Sequence, residues 1–116
     1  MGRVFSQFKI VTGPTATKVD KVILETFEGK GNLTSKFKLS SDEELQAGEK
    51  WVGQGYKEIG KSNSGVFRSA DGKRQFRMDN GSLSGAHKPN VPHVHLEEVM
   101  DNGTDFISNN HIPFGD

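Results

Sequence analysis

The spacing of apolar residues divides this chain into a helical part and a strand-rich part. In the first part Val19, Val22 and Ile23 recur at intervals of three and four residues, which is the spacing of one helix face. This pattern favours a helix over residues 18–27, although a strand there also remains open. A looser alternation of apolar and polar residues indicates a strand over residues 4–11.

A second helix is predicted over residues 40–52. Ser41 and Glu44 have the three-residue spacing of a capping box, and the first turn is rich in acids, which the helix dipole favours there. Gly53 ends this helix. Residues 29–32, rich in glycine, are predicted to form a turn.

After residue 53 the pattern changes to short alternating stretches between glycine-rich turns. Strands are predicted over residues 56–59, 65–69, 74–78, 91–99 and 104–108, and residues 112–114 close the chain. Asp71-Gly72 is typical of a hairpin turn, and Asn80-Gly81 indicates another turn. Helices followed by an antiparallel meander predict an α+β fold. We expect one domain over residues 1–116, with a helical part (1–53) and a β-meander (54–116).

Composition excludes several classes of protein. The chain has no cysteine, which excludes disulfides and thiolate metal sites. No apolar run approaches ~18 residues, so no transmembrane helix is predicted, and the first residues lack the features of a signal peptide. Fifteen basic and fifteen acidic residues balance, so the protein as a whole is not a cationic nucleic-acid binder.

A basic stripe nevertheless lies between residues 67 and 88, where five basic residues stand against two acidic ones. Such a stripe can meet a phosphate backbone. Its members, with a turn hydroxyl that can bond phosphate, are Arg68, Ser69, Lys73, Arg74, Arg77 and Lys88. For Lys73 and Arg74, beside the turn, ordinary pairing with surface acids is the competing interpretation.

All four histidines lie in the last thirty residues. His93, His95 and Glu97 alternate, so they project from one face of the predicted strand, and His87 precedes them on a loop. Imidazoles transfer protons near neutral pH, so this face is a candidate active-site wall. The competing interpretation is a solvated polar face of an exposed strand.

A metal site is the alternative use of these imidazoles. The set His93, His95, Glu98 and His111 resembles the ligands of a cupin. Alternation along a strand argues against this set, because Glu98 then points away from the two histidines.

Several motifs between residues 42 and 98 resemble the C-terminal toxin domains of bacterial polymorphic toxin systems. They are AGEKWVGQGYKEIG, GVFRSADGKRQFRMDN, LSGAH and PHVHLE. Such domains end large secreted proteins of the contact-dependent inhibition, Rhs and LXG types. The resemblance covers about half of the chain, and nothing in residues 1–38 matches, so their role stays unassigned.

The resemblance implies the fold named after barnase, EndoU, colicin-type tRNases and RelE, with N-terminal helices packed on a twisted antiparallel sheet. It also implies a ribonuclease that is delivered from a cell surface and acts in the target-cell cytoplasm. The implied functional positions are Arg68 in FRS, Arg77 in RQFRMD, His87 in SGAH and His93 in PHVH, with His95 as a more variable member.

These inferences predict a monomeric ribonuclease toxin that cleaves RNA, with transfer RNA as the expected substrate, and uses no metal or other cofactor. The RNA 2′-hydroxyl is the nucleophile, His93 the base, His87 or His95 the acid, and Arg77 and Arg68 stabilise the phosphoryl charge. The expected partners are a cognate immunity protein and, in some such toxins, a host activator; no membrane partner is expected. The alternatives are a metal-dependent DNase toxin and a cupin-like binding module without nuclease activity.

Overall fold

The predicted α+β fold is confirmed by the computed structural model, which describes residues 10–116. Within these residues there are three helices: α1 (Lys18–Glu28), α2 (Ser41–Val52) and α3 (Asn80–Leu83). Six strands form one sheet: β1 (Gly31–Thr34), β2 (Lys57–Glu58), β3 (Val66–Arg68), β4 (Arg74–Arg77), β5 (His93–Val99) and β6 (Phe106–Pro113).

Helix α1 confirms the helical interpretation of residues 18–27. Thr17 and Asp20 form its capping box, in which the Thr17 side chain accepts from the Asp20 amide and the Asp20 carboxylate accepts from the Thr17 amide. Its apolar face is buried against the rest of the core. The strand predicted for residues 4–11 lies outside the described residues except for its last two, which belong to no helix or strand.

Helix α2 confirms the second predicted helix, but its capping box is displaced by one residue. Ser40, not Ser41, accepts from the Glu43 amide, and the Glu43 carboxylate accepts from the Ser40 amide. Helical geometry begins at residue 41, so the residue before it is the cap. The acid assigned to the cap, Glu44, is therefore one position further on and is buried.

The sheet is mixed, which corrects the expectation of a purely antiparallel sheet. Its strand order is β1-β6-β5-β4-β3-β2, and strands β2 to β6 form the predicted antiparallel meander. Strand β1 pairs with β6 in parallel, and its first two residues fall within residues 29–32, which were predicted to be a turn only. This edge strand is largely exposed, so burial imposes no clear alternation on its sequence.

Two further predictions in the second half of the chain need correction. The last strand runs over Phe106–Pro113 and not over residues 104–108, so the closing segment is part of it. The predicted turn at Asn80-Gly81 is instead the start of α3. Asp79 caps this helix by accepting from the Ser82 amide.

The core lies on one face of the sheet, where α1 and α2 pack. Val94 and Leu96 of β5 point into it and are fully buried, as is Trp51 of α2. The opposite face of the same strands is left for polar residues, which positions the candidate site there. Within residues 10–116, no helix combines the length and the apolar character needed to cross a bilayer.

Candidate active site

The polar face of β5 is buried, contrary to the interpretation of an open, solvated face. His93 and Glu97 are 0% exposed and His95 is 1% exposed. Their alternation places them together on the face opposite Val94 and Leu96, as the sequence predicts. The segment from α3 to residue 92 lies against this face, so the imidazoles are inside the protein.

Gly85 allows that segment to fold back onto β5. Its φ is +72°, a conformation that side chains disfavour. A Cβ atom on Gly85 would also lie 2.9 Å from the carbonyl carbon of Val91. Glycine therefore lets the two ends of the loop approach closely, and the loop carries His87 to the strand.

The four imidazoles meet at one point. His87 Nε2 lies 2.9 Å from His93 Nε2 and 3.3 Å from His95 Nε2. His111 reaches the same cluster from β6, because it is the direct partner of His95 in the sheet. The His95 and His111 ring centroids are 4.3 Å apart.

Each imidazole carried by the sheet has an oxygen at its Nδ1 atom. His93 Nδ1 lies 2.8 Å from the Val91 carbonyl and His111 Nδ1 lies 2.9 Å from the Leu33 carbonyl. Carbonyl oxygens only accept hydrogen bonds, so these Nδ1 atoms carry the proton. Their Nε2 lone pairs consequently remain free, and the short contact to His87 identifies its Nε2–H as the donor to His93.

His95 is held in the same way by a side-chain amide. Its Nδ1 lies 2.9 Å from Asn109 Oδ1 and 3.1 Å from Arg77 Nη2. Asn109 Oδ1 is the nearer of the two atoms and can only accept, so we assign the Nδ1 proton of His95 to the bond with Asn109. All three sheet imidazoles then have their Nε2 lone pairs available.

Arg77 is fixed beside the cluster by two carboxylates. It donates to Glu97 Oε2 at 2.7 Å and to Asp79 Oδ2 at 3.3 Å. A quarter of its side chain is exposed, whereas Glu97 is fully buried. Arg77 therefore brings a permanent positive charge to the imidazoles.

Arg68 is not in contact with the imidazoles. It donates to Gln75 Oε1 from two nitrogens, at 2.7 and 3.0 Å. Gln75 Nε2 in turn donates to Glu97 Oε1 at 2.7 Å. Arg68 is thus linked to Arg77 through Gln75 and Glu97, and its remaining guanidinium nitrogen donates to the Gly103 carbonyl at 3.2 Å.

Burial keeps two of the imidazoles neutral. It lowers the pKa of His93 below its usual value and lowers that of His95 to about 3, where the nearby Arg77 charge adds to the effect. Although Glu97 lies 3.7 Å from His95, a ring with that pKa is uncharged at neutral pH, so the two do not form an ion pair. His95 therefore lacks the extra proton that an imidazolium acid would supply.

The structure brings Lys88 to the site but not three other predicted substrate contacts. Lys88 and His111 line one open cleft of about 350 Å³. Arg74 lies on the opposite, helix-facing side of β4, where it is buried and donates from Nε to the Trp51 carbonyl at 2.6 Å. Ser69 is buried in the β3–β4 turn and donates to Asp71 at 2.6 Å. Lys73 is exposed beside the same turn.

The four residues of the cupin-like ligand set, His93, His95, Glu98 and His111, do not all come together in the structure. Glu98 is on the helix-facing side of β5, where the Arg74 charge acts on it. His111, which belonged only to that set, does join the imidazole cluster. Gln75 and Asn109 belong to the site but were not predicted from the sequence. A strand predicted through Pro113 would have placed Asn109 and His111 opposite Glu97 and His95.

The geometry therefore offers a buried cluster of proton-transfer or metal-binding nitrogens beside one guanidinium. No known protein family, curated protein or solved structure matches this chain.

Proposed function

We propose that this protein is a metal-independent ribonuclease that cleaves RNA through attack of the RNA's own 2′-hydroxyl. The observation that carries the proposal is the pair His87–His93, with Nε2 atoms 2.9 Å apart, in a cluster that the Arg77 guanidinium contacts at His95. One ring of this pair has an oriented lone pair and the other an oriented proton. Acid–base cleavage of a phosphodiester needs these two groups.

In this mechanism His93 is the base, because the Val91 carbonyl holds its Nδ1 proton and leaves Nε2 free. His93 Nε2 takes the proton of the 2′-hydroxyl, whose oxygen attacks the phosphorus. His87, as an imidazolium, gives its Nε2 proton to the departing 5′-oxygen. The products are a 2′,3′-cyclic phosphate and a 5′-hydroxyl.

The short contact between the two rings has two consequences for this mechanism. The phosphate has to enter between His87 and His93, so His87 and its loop move away from β5 when RNA binds. After the products leave, the proton on His93 can return to His87 through the restored contact, which resets the pair.

Arg77 supplies charge stabilisation to the phosphoryl oxygens in this proposal. Its guanidinium is a permanent cation that touches the imidazole cluster. Glu97 is fully buried. It accepts hydrogen bonds from both Gln75 and Arg77 and so holds the guanidinium in place. Removal of Arg77 leaves the Glu97 charge unpaired, so loss of activity in an Arg77 variant has to be separated from loss of folding.

The biological setting in this proposal is competition between bacteria. The enzyme is the C-terminal toxin of a larger secreted or surface-displayed protein and acts on transfer RNA in the target-cell cytoplasm. Exposed Lys88 beside the site supports contact with a phosphate backbone. A cognate immunity protein neutralises the toxin, and a host activator protein is part of the setting in some such systems.

Incubation of the purified protein with total RNA and with plasmid, each with and without EDTA, tests the proposal. We expect loss of the transfer-RNA band with EDTA present, and fragments whose 5′ ends accept phosphate from a kinase without prior dephosphorylation. His87→Ala should lower the rate by about 10²–10⁴-fold.

Asn90→Ala is the matched control, since Asn90 is exposed on the same loop and carries no titratable group. It should cleave RNA at the wild-type rate. Plasmid cleavage that EDTA abolishes would instead indicate a metal-dependent DNase. Absence of cleavage of either substrate would favour a binding module.

A further inference from the structure

The imidazole cluster has a second property that acid–base catalysis does not require. His87, His95 and His111 each offer one ring nitrogen, and these three atoms all lie within 4.8 Å of one another. The three histidines come from a loop, β5 and β6, so the tertiary fold gathers them.

The spacing of these nitrogens is close to that of a coordination sphere. Tetrahedral zinc with Zn–N bonds of 2.0–2.1 Å needs ligand nitrogens roughly 3.3 Å apart. The His87 and His95 Nε2 atoms are already 3.3 Å apart. His111 is the more distant member, and His87 and His111, whose side chains are only partly buried, are the two rings with room to move toward an ion.

The outer contacts of the rings match those of metal-binding histidines. A ligand imidazole donates its second nitrogen's proton to a carbonyl, amide or carboxylate oxygen, which orients the ring. His95 has such a bond to Asn109 and His111 has one to the Leu33 carbonyl. The Nε2 lone pairs of both rings therefore face the centre of the cluster without a proton.

We propose that His87, His95 and His111 form a binding site for a late first-row divalent metal ion, with zinc as the representative. Three neutral imidazoles suit zinc, copper or nickel, whereas magnesium and calcium prefer oxygen ligands. The metal replaces the Nε2 proton of His87, and His93 Nε2, 2.9 Å from His87 Nε2, is placed to supply a fourth ligand. If the proposed ribonuclease function holds, bound metal occupies the nitrogens that transfer protons and so inhibits cleavage.

Isothermal titration of the EDTA-treated, dialysed full chain with zinc chloride tests the site. We expect one ion per chain with micromolar or tighter affinity, and no saturable binding of magnesium. His111→Ala should weaken zinc binding by about 10-fold or more. Asn32→Ala is the matched control, because Asn32 is exposed and lines the same cleft as His111, and it should bind zinc like the wild type.

NMR of the imidazole nitrogens in the wild-type chain tests the same site without a variant, so it also applies if His111→Ala does not fold. Zinc should shift the Nε2 resonances of His87, His95 and His111 and leave their Nδ1 nitrogens protonated. Absence of saturable zinc binding, or unchanged Nε2 resonances in zinc-bound protein, overturns the site.

Cleavage assays separate this inference from the proposed function. Zinc should inhibit RNA cleavage at the concentrations that saturate the site, and EDTA should restore it. The zinc concentration that halves the cleavage rate should be about 10-fold higher for His111→Ala than for the wild type, with each protein compared with its own zinc-free rate. A protein that binds zinc but never cleaves RNA would overturn the ribonuclease proposal and support the metal site. A protein that cleaves RNA but does not bind zinc would support the ribonuclease proposal and overturn the metal site.

Discussion

At the scale of the residue, burial changes the chemistry of polar side chains that sequence patterns treat as ordinary. Glu44 is the clearest case outside the site. It is 4% exposed, its Oε2 atom has no hydrogen-bond partner, and burial raises its pKa to about 7. The folded protein therefore holds a proton on Glu44 at pH values where the unfolded chain has lost it.

Glu44 makes the free energy of unfolding depend on pH. Because its folded pKa of about 7 lies above the ordinary value of 4.5, stability falls as pH rises through that window. Glu44→Gln removes the ionisation, so at about pH 8 the variant should be more stable than the wild type by about 1–3 kcal/mol. At about pH 4 the two should differ little.

Urea denaturation across this pH range measures the difference between the two proteins. Glu49→Gln is the control, since Glu49 is exposed on the same helix. It should follow the wild-type curve within about 0.5 kcal/mol. A Glu44→Gln curve parallel to the wild-type curve would show that the carboxyl is not desolvated.

At the scale of the element, the distance between α2 and the sheet depends on one missing side chain. Gly48 lies in the middle of α2 and is buried against Phe76 of β4. A Cβ atom at Gly48 would lie only 2.4 Å from the Phe76 ring. Glycine is unfavourable within a helix by about 1 kcal/mol, and the close approach of helix and sheet explains why it is there.

We expect Gly48→Ala to destabilise the protein by about 1–3 kcal/mol, because the new methyl group overpacks the interface. In an exposed helix the same change would stabilise. Phe76→Leu should relieve the overlap, so the double variant should be less destabilised than the sum of the single variants by more than about 0.5 kcal/mol. Chemical denaturation of the four proteins measures this coupling. A stabilising Gly48→Ala would contradict the packing described here.

At the scale of the whole molecule, the two ends of the described chain build one structure. Strand β1 pairs with β6, from Gly31 opposite Ser108 to Thr34 opposite His111. Asn110, fully buried in β6, donates to the Thr26 hydroxyl of α1. The helical part and the β-meander therefore share both their core and their sheet.

This sharing predicts that neither part folds alone. A fragment of residues 54–116 loses the helices that cover Val94 and Leu96, so it should show no cooperative thermal unfolding by circular dichroism. Mixing it with residues 1–53 should restore helical and sheet signals. A 54–116 fragment that unfolds cooperatively by itself would show that the helices are not needed for the core.

The sequence determined the local features of this protein. Helical spacing identified α1, and a capping pattern with an acidic first turn identified α2. Period-two alternation placed His93, His95 and Glu97 on one side of β5 and Val94 and Leu96 on the other. These predictions hold because the periods of helix and strand are set by the backbone itself. The α+β class follows from the order of those elements.

Which residues meet in space became visible only in the three-dimensional fold. Alternation could not show that His111 pairs with His95 across the sheet, nor that Arg68 reaches Arg77 through Gln75 and Glu97. Alternation placed Arg74 and Arg77 on opposite faces of β4, but it could not show that one face is buried under α2 and that the other contacts the imidazoles. Strand pairing and burial bring together residues that are far apart in the chain. A periodic pattern describes only neighbouring residues, so it does not show which distant segments pair.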